Sequence, residues 1–343
     1  MIDYLNNLVA TEWQTWWPAW RAKPQPTLNW VMLTNGGSAL HDNVVFLGVP
    51  LGARAPILVA KTCRWPAHNE TIRQEFQQLT AVWQQLGKNA QDQIPRPLHL
   101  GEAGQHAILV TDYFTGQEMT GLLRRWVGDV NETFLFETAF QRVARWLRGL
   151  HEQTAVKPAT QHVANACANC DPFSHYADLF SEMFALNPNE QACLNELVNK
   201  KAASEQNASQ QILQHGDFWP GNILLRPPND QLALIDWQFS RWTYNASYDL
   251  YFLPLASGVA LVRHPETAVR AQKIVQQLRH WQQTWLPTYF DTYGQPTDYA
   301  LLPPKAGFLT CCIEAAARPM DTFGVQQDDA PLWRAIFGEL LVE

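Results

Sequence analysis

The sequence has few charged residues and no long basic run. Charged residues make up 17% of the 343 residues, and the formal net charge is −7. A nucleic-acid-binding surface needs clustered lysine and arginine, so this composition argues against a nucleic-acid partner. A small neutral or cationic partner fits the composition better.

Long hydrophobic runs are also lacking. The first residues, MIDYLNNLVATEWQTWW, have no positively charged segment ahead of an apolar stretch. No apolar run approaches the roughly 18 residues that span a bilayer. We therefore expect a soluble cytoplasmic protein with no membrane partner. Nothing in the sequence indicates its oligomeric state.

Cysteine is scarce, with six residues in the chain, which are too few for a disulfide framework. The motif CANC, with Cys167 and Cys170, and the adjacent Cys311 and Cys312 form a weak zinc-binding pattern, with His162 as a further candidate ligand. A C-x-x-C without a second properly spaced pair is more often incidental. We predict that these cysteines are reduced and free of metal.

Length and periodicity indicate two lobes, since single domains usually run to about 100–200 residues. Apolar, β-branched runs at 44–49, 56–62 and 106–114 predict three strands in the first part of the chain. A helix is predicted between the second and third of these runs by apolar residues with helical spacing: Ile72, Phe76, Leu79, Trp83 and Leu86.

Beyond residue 116 the pattern becomes helical. Two stripes with helical spacing are Phe136, Phe140, Val143, Leu147 and Leu150, and Ile274, Leu278, Trp281 and Trp285. PLWRAIFGELLVE predicts a final helix, and the unpatterned stretch 156–169 predicts a loop. We therefore divide the chain into a helical N-terminal extension (1–28), a small α+β lobe (29–115) and a mostly helical lobe (116–343).

Two short segments, QHGDFWPGN and LIDWQ, concentrate polar residues that suit metal chemistry. The runs NILLR (222–226) and LALID (232–236) flank the turn formers PPNDQ and predict a β-hairpin. Symmetric pairing places Asn222 opposite Asp236 at its open end, where opposed residues lie about 4.5–5.5 Å apart. An amide and a carboxylate oxygen suit Mg²⁺, a hard cation that shares its shell with substrate phosphates.

Asp217 precedes Asn222 by five residues on the loop that leads into the hairpin. It is therefore close to the metal without needing to bind it, which suits a group that orients an attacking hydroxyl. In the structural alternative, Asp217 and Asn222 cap a turn, Asp236 ends a strand and His215 is an interior histidine.

HGDFWPGN followed by IDW resembles the catalytic and metal-binding segments of the aminoglycoside phosphotransferase and choline kinase-like family. These are small-molecule kinases with a bilobal, protein-kinase-like α+β fold. The resemblance implies a small N-terminal lobe with an antiparallel sheet and one main helix, and a larger, mostly helical C-terminal lobe.

The same resemblance implies roles for individual residues. Asp217 would be the catalytic base, Asn222 and Asp236 would hold magnesium, and His215 would brace the loop. Asp249, in YDLYF, matches an aspartate that in such proteins helps to hold the catalytic loop. The alternative role for Asp249 is a helix N-cap.

Upstream, Lys61 lies in the apolar strand ILVAKT, where an ammonium is costly unless it is paired. Glu75 falls on the apolar face of the predicted helix, so the two charges predict a buried ion pair. The pair resembles the kinase lysine that contacts the α- and β-phosphates and its helix glutamate. In the alternative, Lys61 reaches solvent from an edge strand and Glu75 is solvated; Glu70 is a competing partner nearer the start of the helix.

Two further segments resemble parts of a nucleotide site. TNGGSALHDN resembles the loop over the phosphates, with Gly36, Gly37 and Ser38 as binding residues, although it departs from G-x-G-x-x-G and a β-turn is the alternative. LVTDYFTG resembles the hinge between lobes, whose backbone from Asp112 to Phe114 would pair with adenine.

These features together imply an ATP- and Mg²⁺-dependent small-molecule kinase that moves the γ-phosphoryl group to a hydroxyl. The acceptor stays open among amino sugars, amino alcohols such as choline, and other sugars. The rival is an inactive, kinase-like nucleotide-binding regulatory protein. It is disfavoured because every position needed for chemistry is filled: Lys61, Asp217, Asn222 and Asp236.

Two sets of residues in the C-terminal half are candidates for acceptor recognition. Acidic residues that would bind an amino sugar are Asp291, Asp298, Glu314, Asp321, Asp328 and Asp329. Aromatic residues that would enclose a quaternary ammonium are Trp281, Trp285 and Tyr289. The alternatives are a solvated acidic surface and ordinary core aromatics.

Overall fold

The computed structural model describes residues 1–16, 25–35, 43–90, 92–157, 172–226, 231–324 and 326–342. The chain divides into two compact units. The first unit comprises Met1–Gly116 and Ala233–Gln238, and the second comprises Gln117–Leu232 and Phe239–Glu343. A short segment after residue 232 therefore returns from the second unit to the first.

A five-stranded antiparallel sheet forms the base of the first unit. Its strands are β1 (Leu28–Asn35), β2 (Asn43–Pro50), β3 (Leu58–Cys63), β4 (Pro97–Ala103) and β5 (His106–Asp112). Their order in the sheet is β1-β2-β3-β5-β4. The strands predicted at 44–49, 56–62 and 106–114 are confirmed, with small differences at their ends.

Two helices complete this unit, α1 (Ile2–Trp16) and α2 (Asn69–Leu86), the second of which confirms the predicted helix. Buried residues of α1, among them Leu5 and Trp13, form one apolar cluster with Leu58 and Ala60 of β3. Since side chains alternate across a strand, the next residue, Lys61, lies on the opposite face, where it contacts α2. Short 3₁₀ helices precede and follow α2, at Pro66–His68 and Gly87–Ala90.

The second unit is mostly helical. Its helices are α3 (Met119–Trp126), α4 (Glu132–Thr154), α5 (Phe173–Met183), α6 (Pro188–Gln206), α7 (Ser247–Leu261), α8 (Thr267–Gln283), α9 (Leu286–Tyr293), α10 (Pro304–Phe323) and α11 (Ala330–Leu341). The predicted stripe at 136–150 lies in α4, and the predicted final helix is α11. The second stripe is divided, because α8 ends at Gln283 and Trp285 is the N-cap of α9, which begins at Leu286.

Short strands connect these helices: β6 (Gln117–Glu118), β7 (Ile212–Gln214), β8 (Ile223–Arg226), β9 (Gln231–Leu234) and β10 (Arg241–Thr243). β7 pairs with β10, and β6, β8 and β9 follow one another in a second small sheet. The strands β8 and β9 correspond to the predicted hairpin, whose turn (227–230) lies outside the described residues. Much of the loop predicted at 156–169 also lies outside them.

The helix α7 lies at the centre of the second unit. Every residue from Ser247 to Gly258 is buried, including the polar Asp249, so this helix is enclosed on all sides. A nearby aromatic core is built from Phe136, Phe140, Trp281, Trp285 and Tyr289. Across the described ranges, no helix combines the length and apolar character needed to cross a membrane.

Candidate active site

In the first unit, Lys61 lies between two carboxylates. Its Nζ atom is 2.8 Å from Oε2 of Glu75 and 2.7 Å from Oδ1 of Asp236. β3 supplies the lysine, α2 supplies Glu75, and the chain just after β9 supplies Asp236. The Lys61–Glu75 pair is the one that strand alternation and helix spacing indicate, whereas the contact of Lys61 with Asp236 was not expected.

Burial sets the electrostatics of this cluster. Desolvation acts to lower the pKa of Lys61, but the charges of Asp236 and Glu75 outweigh it, so the pKa is raised. Burial raises the pKa of Glu75, and the ammonium of Lys61 opposes that rise. With Nζ at 2.8 Å, we assign the pair as ionised. A buried pair of this kind fixes side-chain positions more than it adds stability.

Asp236 has an unusual backbone. It has a φ of 65°, and within the described ranges it is the one residue other than glycine with positive φ. Aspartate tolerates this left-handed conformation better than most residues, and such strain clusters at functional sites. Its side chain keeps 32% exposure, whereas that of Glu75 keeps 5%. Asp236 therefore has carboxylate surface available for a ligand.

The segment predicted to bind adenine already uses part of its hydrogen-bonding capacity. The N–H of Asp112 donates to the carbonyl of Arg96 at 3.2 Å, and the N–H of Tyr113 donates to the carbonyl of Ile57 at 3.0 Å. Burial raises the pKa of the Asp112 carboxyl, which the guanidinium of Arg96 opposes from 3.1 Å. Adenine would therefore need other backbone groups of the segment ending at Phe114.

The proposed phosphate loop lies outside the described residues, with Gly36, Gly37 and Ser38. Cys167 and Cys170 lie outside them too. The other two cysteines of the zinc pattern, Cys311 and Cys312, are buried free thiols. Burial raises the pKa of both, which disfavours the thiolate that zinc requires.

In the second unit, Asn222 holds Asp217 in place. The buried Asn222 amide donates from Nδ2 to the backbone carbonyl and to Oδ2 of Asp217, both at 2.9 Å. The loop is closed further by the N–H of Asn222, which donates to the carbonyl of Trp219 at 3.0 Å. Asp217 itself remains partly exposed. Its carboxylate is therefore oriented yet accessible.

The backbone just before Asp217 is held by Asp249. One carboxylate oxygen accepts the N–H of His215 at 2.6 Å, and the other accepts the N–H of Gly216 at 2.9 Å. Asp249 lies in the first turn of α7, which begins after Ala246 and has no side-chain cap. The carboxylate therefore bonds the loop and does not serve as the N-cap that was the alternative.

His215 is buried and bonds the next peptide of the same loop, between Gly216 and Asp217. Its Nδ1 accepts the backbone N–H of Asp217 at 3.2 Å, which requires Nδ1 to carry no proton. Gly216 has a φ of 78°, and a Cβ there would overlap the carbonyl oxygen of Phe239. A glycine is needed at this position because both the conformation and the space exclude a side chain.

Asn222, in the second unit, and Asp236, in the first, each have an oxygen of the kind that Mg²⁺ binds. The Nδ2 atom of Asn222 donates to Asp217, so the Oδ1 atom is the part of the amide that can accept or bind a cation. The carboxylate of Asp236 is partly exposed, and its Oδ1 contacts Nζ of Lys61. Mg²⁺ binds a small number of protein oxygen ligands when phosphates complete its coordination shell. The predicted meeting of Asn222 and Asp236 stays a prediction.

Two of the candidate roles in acceptor recognition do not fit the structure. Trp281, Trp285 and Tyr289 are almost fully buried and pack against other rings, so they form core and leave no open cage. Glu314 is also buried, at 1% side-chain exposure, and is paired with Arg241 and Arg318.

The other acidic candidates differ from one another. Asp329 is partly buried and accepts the indole N–H of Trp333 at 3.0 Å. Asp321 binds His175 at 2.9 Å on the surface. The remaining three are exposed: Asp291, Asp298 and Asp328. Sequence spacing could not separate these cases because burial in a helical lobe depends on distant elements.

The fold is that of a small-molecule phosphotransferase of the kinase-like type. The chain matches the sequence profile of the phosphotransferase enzyme family, APH, over residues 44–288. It therefore belongs to that family. No curated protein sequence matches the chain significantly.

Three solved structures share the fold. Aminoglycoside phosphotransferase APH(3'')-Id from Streptomyces rimosus has a TM-score of 0.50 at 16% identity, covering 89% of this chain and 97% of that one. Spectinomycin phosphotransferase APH(9)-Ia, in complex with ADP and spectinomycin, has a TM-score of 0.51 at 10% identity, with 96% of each chain covered. A protein provisionally assigned as a fructosamine-3-kinase, from Haemophilus somnus, has a TM-score of 0.54 at 11% identity, covering 98% and 96%.

Proposed function

We propose that this kinase uses ATP and Mg²⁺ to phosphorylate a hydroxyl of an amino sugar, an amino alcohol or another sugar. Asp217 serves as the base, Lys61 contacts the α- and β-phosphates, and Asn222 and Asp236 hold the metal. Bound Mg²⁺ neutralises phosphate charge. The acceptor oxygen forms a bond to the γ-phosphorus, the bond to the ADP oxygen breaks, and the hydroxyl proton passes to the Asp217 carboxylate.

The observation that carries the proposal is the pair of hydrogen bonds from Asn222 to Asp217. One amide orients the base through Nδ2 and keeps Oδ1 for a cation. The same residue therefore links the acceptor position to the metal position. Phosphoryl transfer needs this kind of positioning more than it needs covalent chemistry by the protein.

The remaining predicted residues take supporting roles. His215 and Asp249 hold the loop that carries Asp217, and Glu75 keeps Lys61 in place. Gly36, Gly37 and Ser38 are proposed to bind phosphates through their N–H groups, and the segment from Asp112 to Phe114 is proposed to contact adenine.

A screen with γ-labelled ATP tests the proposal. The purified protein is incubated with Mg²⁺ and a panel of aminoglycosides, choline, ethanolamine and hexoses, and labelled products are separated. We expect label on at least one acceptor, and none when EDTA removes the metal. Nucleotide binding without transfer to any acceptor and without ATP hydrolysis would favour the regulatory protein instead.

A further inference from the structure

A buried arginine from a distant helix contacts the loop that carries Asp217. Arg318 lies in α10, and its Nη1 donates a hydrogen bond to the carbonyl of Gly216. Its side chain is 7% exposed. The guanidinium carbon lies 4.4 Å from the ring centre of Tyr248 and 5.3 Å from that of Phe239. The aromatic rings and the carbonyl together fix its position.

Arg318 also belongs to a closed network of charged groups. Its Nη2 donates to Oε1 of Glu314 at 3.3 Å, and the same carboxylate accepts from Nη2 of Arg241. Arg241 in turn donates from Nε to Oε1 of Gln214 at 3.0 Å. The network starts at Gln214 and returns to the backbone at Gly216. It therefore holds the chain on both sides of His215.

We propose that Arg318 is a positioning residue for Asp217. The peptide between Gly216 and Asp217 has its carbonyl held by Arg318 and its N–H held by Nδ1 of His215. With both ends bonded, the peptide plane cannot rotate, so the direction in which the Asp217 side chain leaves the backbone is set. This inference rests on the proposed function, in which Asp217 is the base.

The charge and shape of arginine both matter here. A hydrogen bond from an ionised donor is about twice as strong as one between neutral groups. The planar guanidinium can bond the Gly216 carbonyl and Glu314 at once, whereas the point charge of a lysine cannot reproduce that fork. Glu314 compensates the buried charge, which would otherwise be costly. Arg318 therefore acts at the loop while Glu314 and Arg241 keep it in place.

The test compares Arg318→Met with a matched control, Arg334→Met. Arg334, in α11, is a partly buried arginine whose guanidinium bonds the Glu190 carboxylate at 2.6 Å and not the loop. We expect Arg318→Met to lower kcat about 100-fold, the loss that a misplacement near 1 Å can cause, with KM for ATP within threefold of wild type. Arg334→Met should leave kcat within about threefold, since the pair with Glu190 does not bond the loop that carries Asp217.

Arg318→Lys keeps the charge and serves if the methionine variant does not fold. We expect about a tenfold loss in kcat, intermediate because one of the two bonds can form. Wild-type kcat in a folded Arg318 variant, or an equal loss in Arg334→Met, would overturn the positioning role.

A second measurement does not depend on activity. Hydrogen exchange of a peptide spanning residues 214–222 should be faster in Arg318→Met than in wild type, and unchanged in Arg334→Met. Equal exchange in all three proteins would also overturn the inference. If wild type transfers no phosphate but the loop exchanges faster in Arg318→Met, the proposed function fails and the structural link from Arg318 to the loop stands.

Discussion

Removing Lys61 should make the stability of the first unit depend on pH in a defined direction. In Lys61→Met, the carboxyl of Glu75 stays buried without a cation 2.8 Å away. Burial already raises the pKa of Glu75, and the ammonium is what opposes that rise. We therefore expect a still higher pKa for Glu75 in the variant.

Proton binding sets the direction in which the free energy of unfolding changes with pH. A carboxyl with a higher pKa in the folded state binds more protons when folded than when unfolded. The free energy of unfolding then falls as pH rises, from the ordinary glutamate range near about 4.3 up to the raised pKa. One group contributes at most about 1.4 kcal/mol for each pH unit. Leaving the charge buried and unpaired would cost about 3–5 kcal/mol, and protonation of Glu75 relieves that cost.

Urea unfolding at a series of pH values from about 4.5 upward measures this slope, because the slope begins near the ordinary glutamate pKa of about 4.3. Tryptophan fluorescence would report on both units, because tryptophans occur in both. Unfolding of the first unit alone is therefore measured by hydrogen exchange of peptides from β3 and α2. The double variant Lys61→Met, Glu75→Gln is the control and should show no added slope. The same slope in Lys61→Met and wild type would refute the buried pair.

Three further predictions concern other parts of the chain. Gly216→Ala should destabilise the second unit by about 1–3 kcal/mol and lower kcat, because φ is 78° and the new Cβ would meet Phe239. The control Gly121→Ala in α3, with nothing within 4 Å of its Cβ, should be neutral or stabilising in thermal melts. Purified tag-free protein should contain no stoichiometric zinc, and its mass should match six thiols; zinc at one equivalent, or a mass two hydrogens lower per pair, contradicts this. Lys61→Ala should lose ATP affinity along with rate in calorimetry and kinetics, and unchanged affinity would exclude a ground-state contact with phosphate.

Local patterns in the sequence predict much of the first unit. Alternation places Lys61 on one face of β3, and helical spacing places Glu75 on the buried face of α2, so their pairing needs only that the helix packs on that face. The spacing of Asp217 and Asn222 likewise suits a turn. It does not predict that the Asn222 amide donates two hydrogen bonds to Asp217. Short-range geometry carries these predictions.

Contacts between distant segments could not be predicted in this way. Arg318 and Gly216 lie 102 positions apart, and Lys61 and Asp236 lie 175 apart. Glu314 looked like one of several acidic candidates because one of its partners, Arg241, lies 73 positions away, and only Arg318, four residues on, is near it in the chain. The aromatic residues from Trp281 to Tyr289 could equally have lined a cage or a core, and only the packing of α4 against α9 decides for the core.

The central claim is that Asp217 is the base and does not bind the metal. Calorimetric titration of Asp217→Asn and Asp236→Asn with Mg²⁺ and a non-hydrolysable ATP analogue, together with steady-state rates on an acceptor that wild type phosphorylates, tests it most directly. For Asp217→Asn we predict an affinity within about threefold of wild type and a turnover about 10²–10⁴-fold lower. For Asp236→Asn we predict weakened binding and less than about a tenth of the wild-type rate at saturating Mg²⁺. If Asp217→Asn loses nucleotide binding as severely as Asp236→Asn, Asp217 is a metal ligand and the account is wrong.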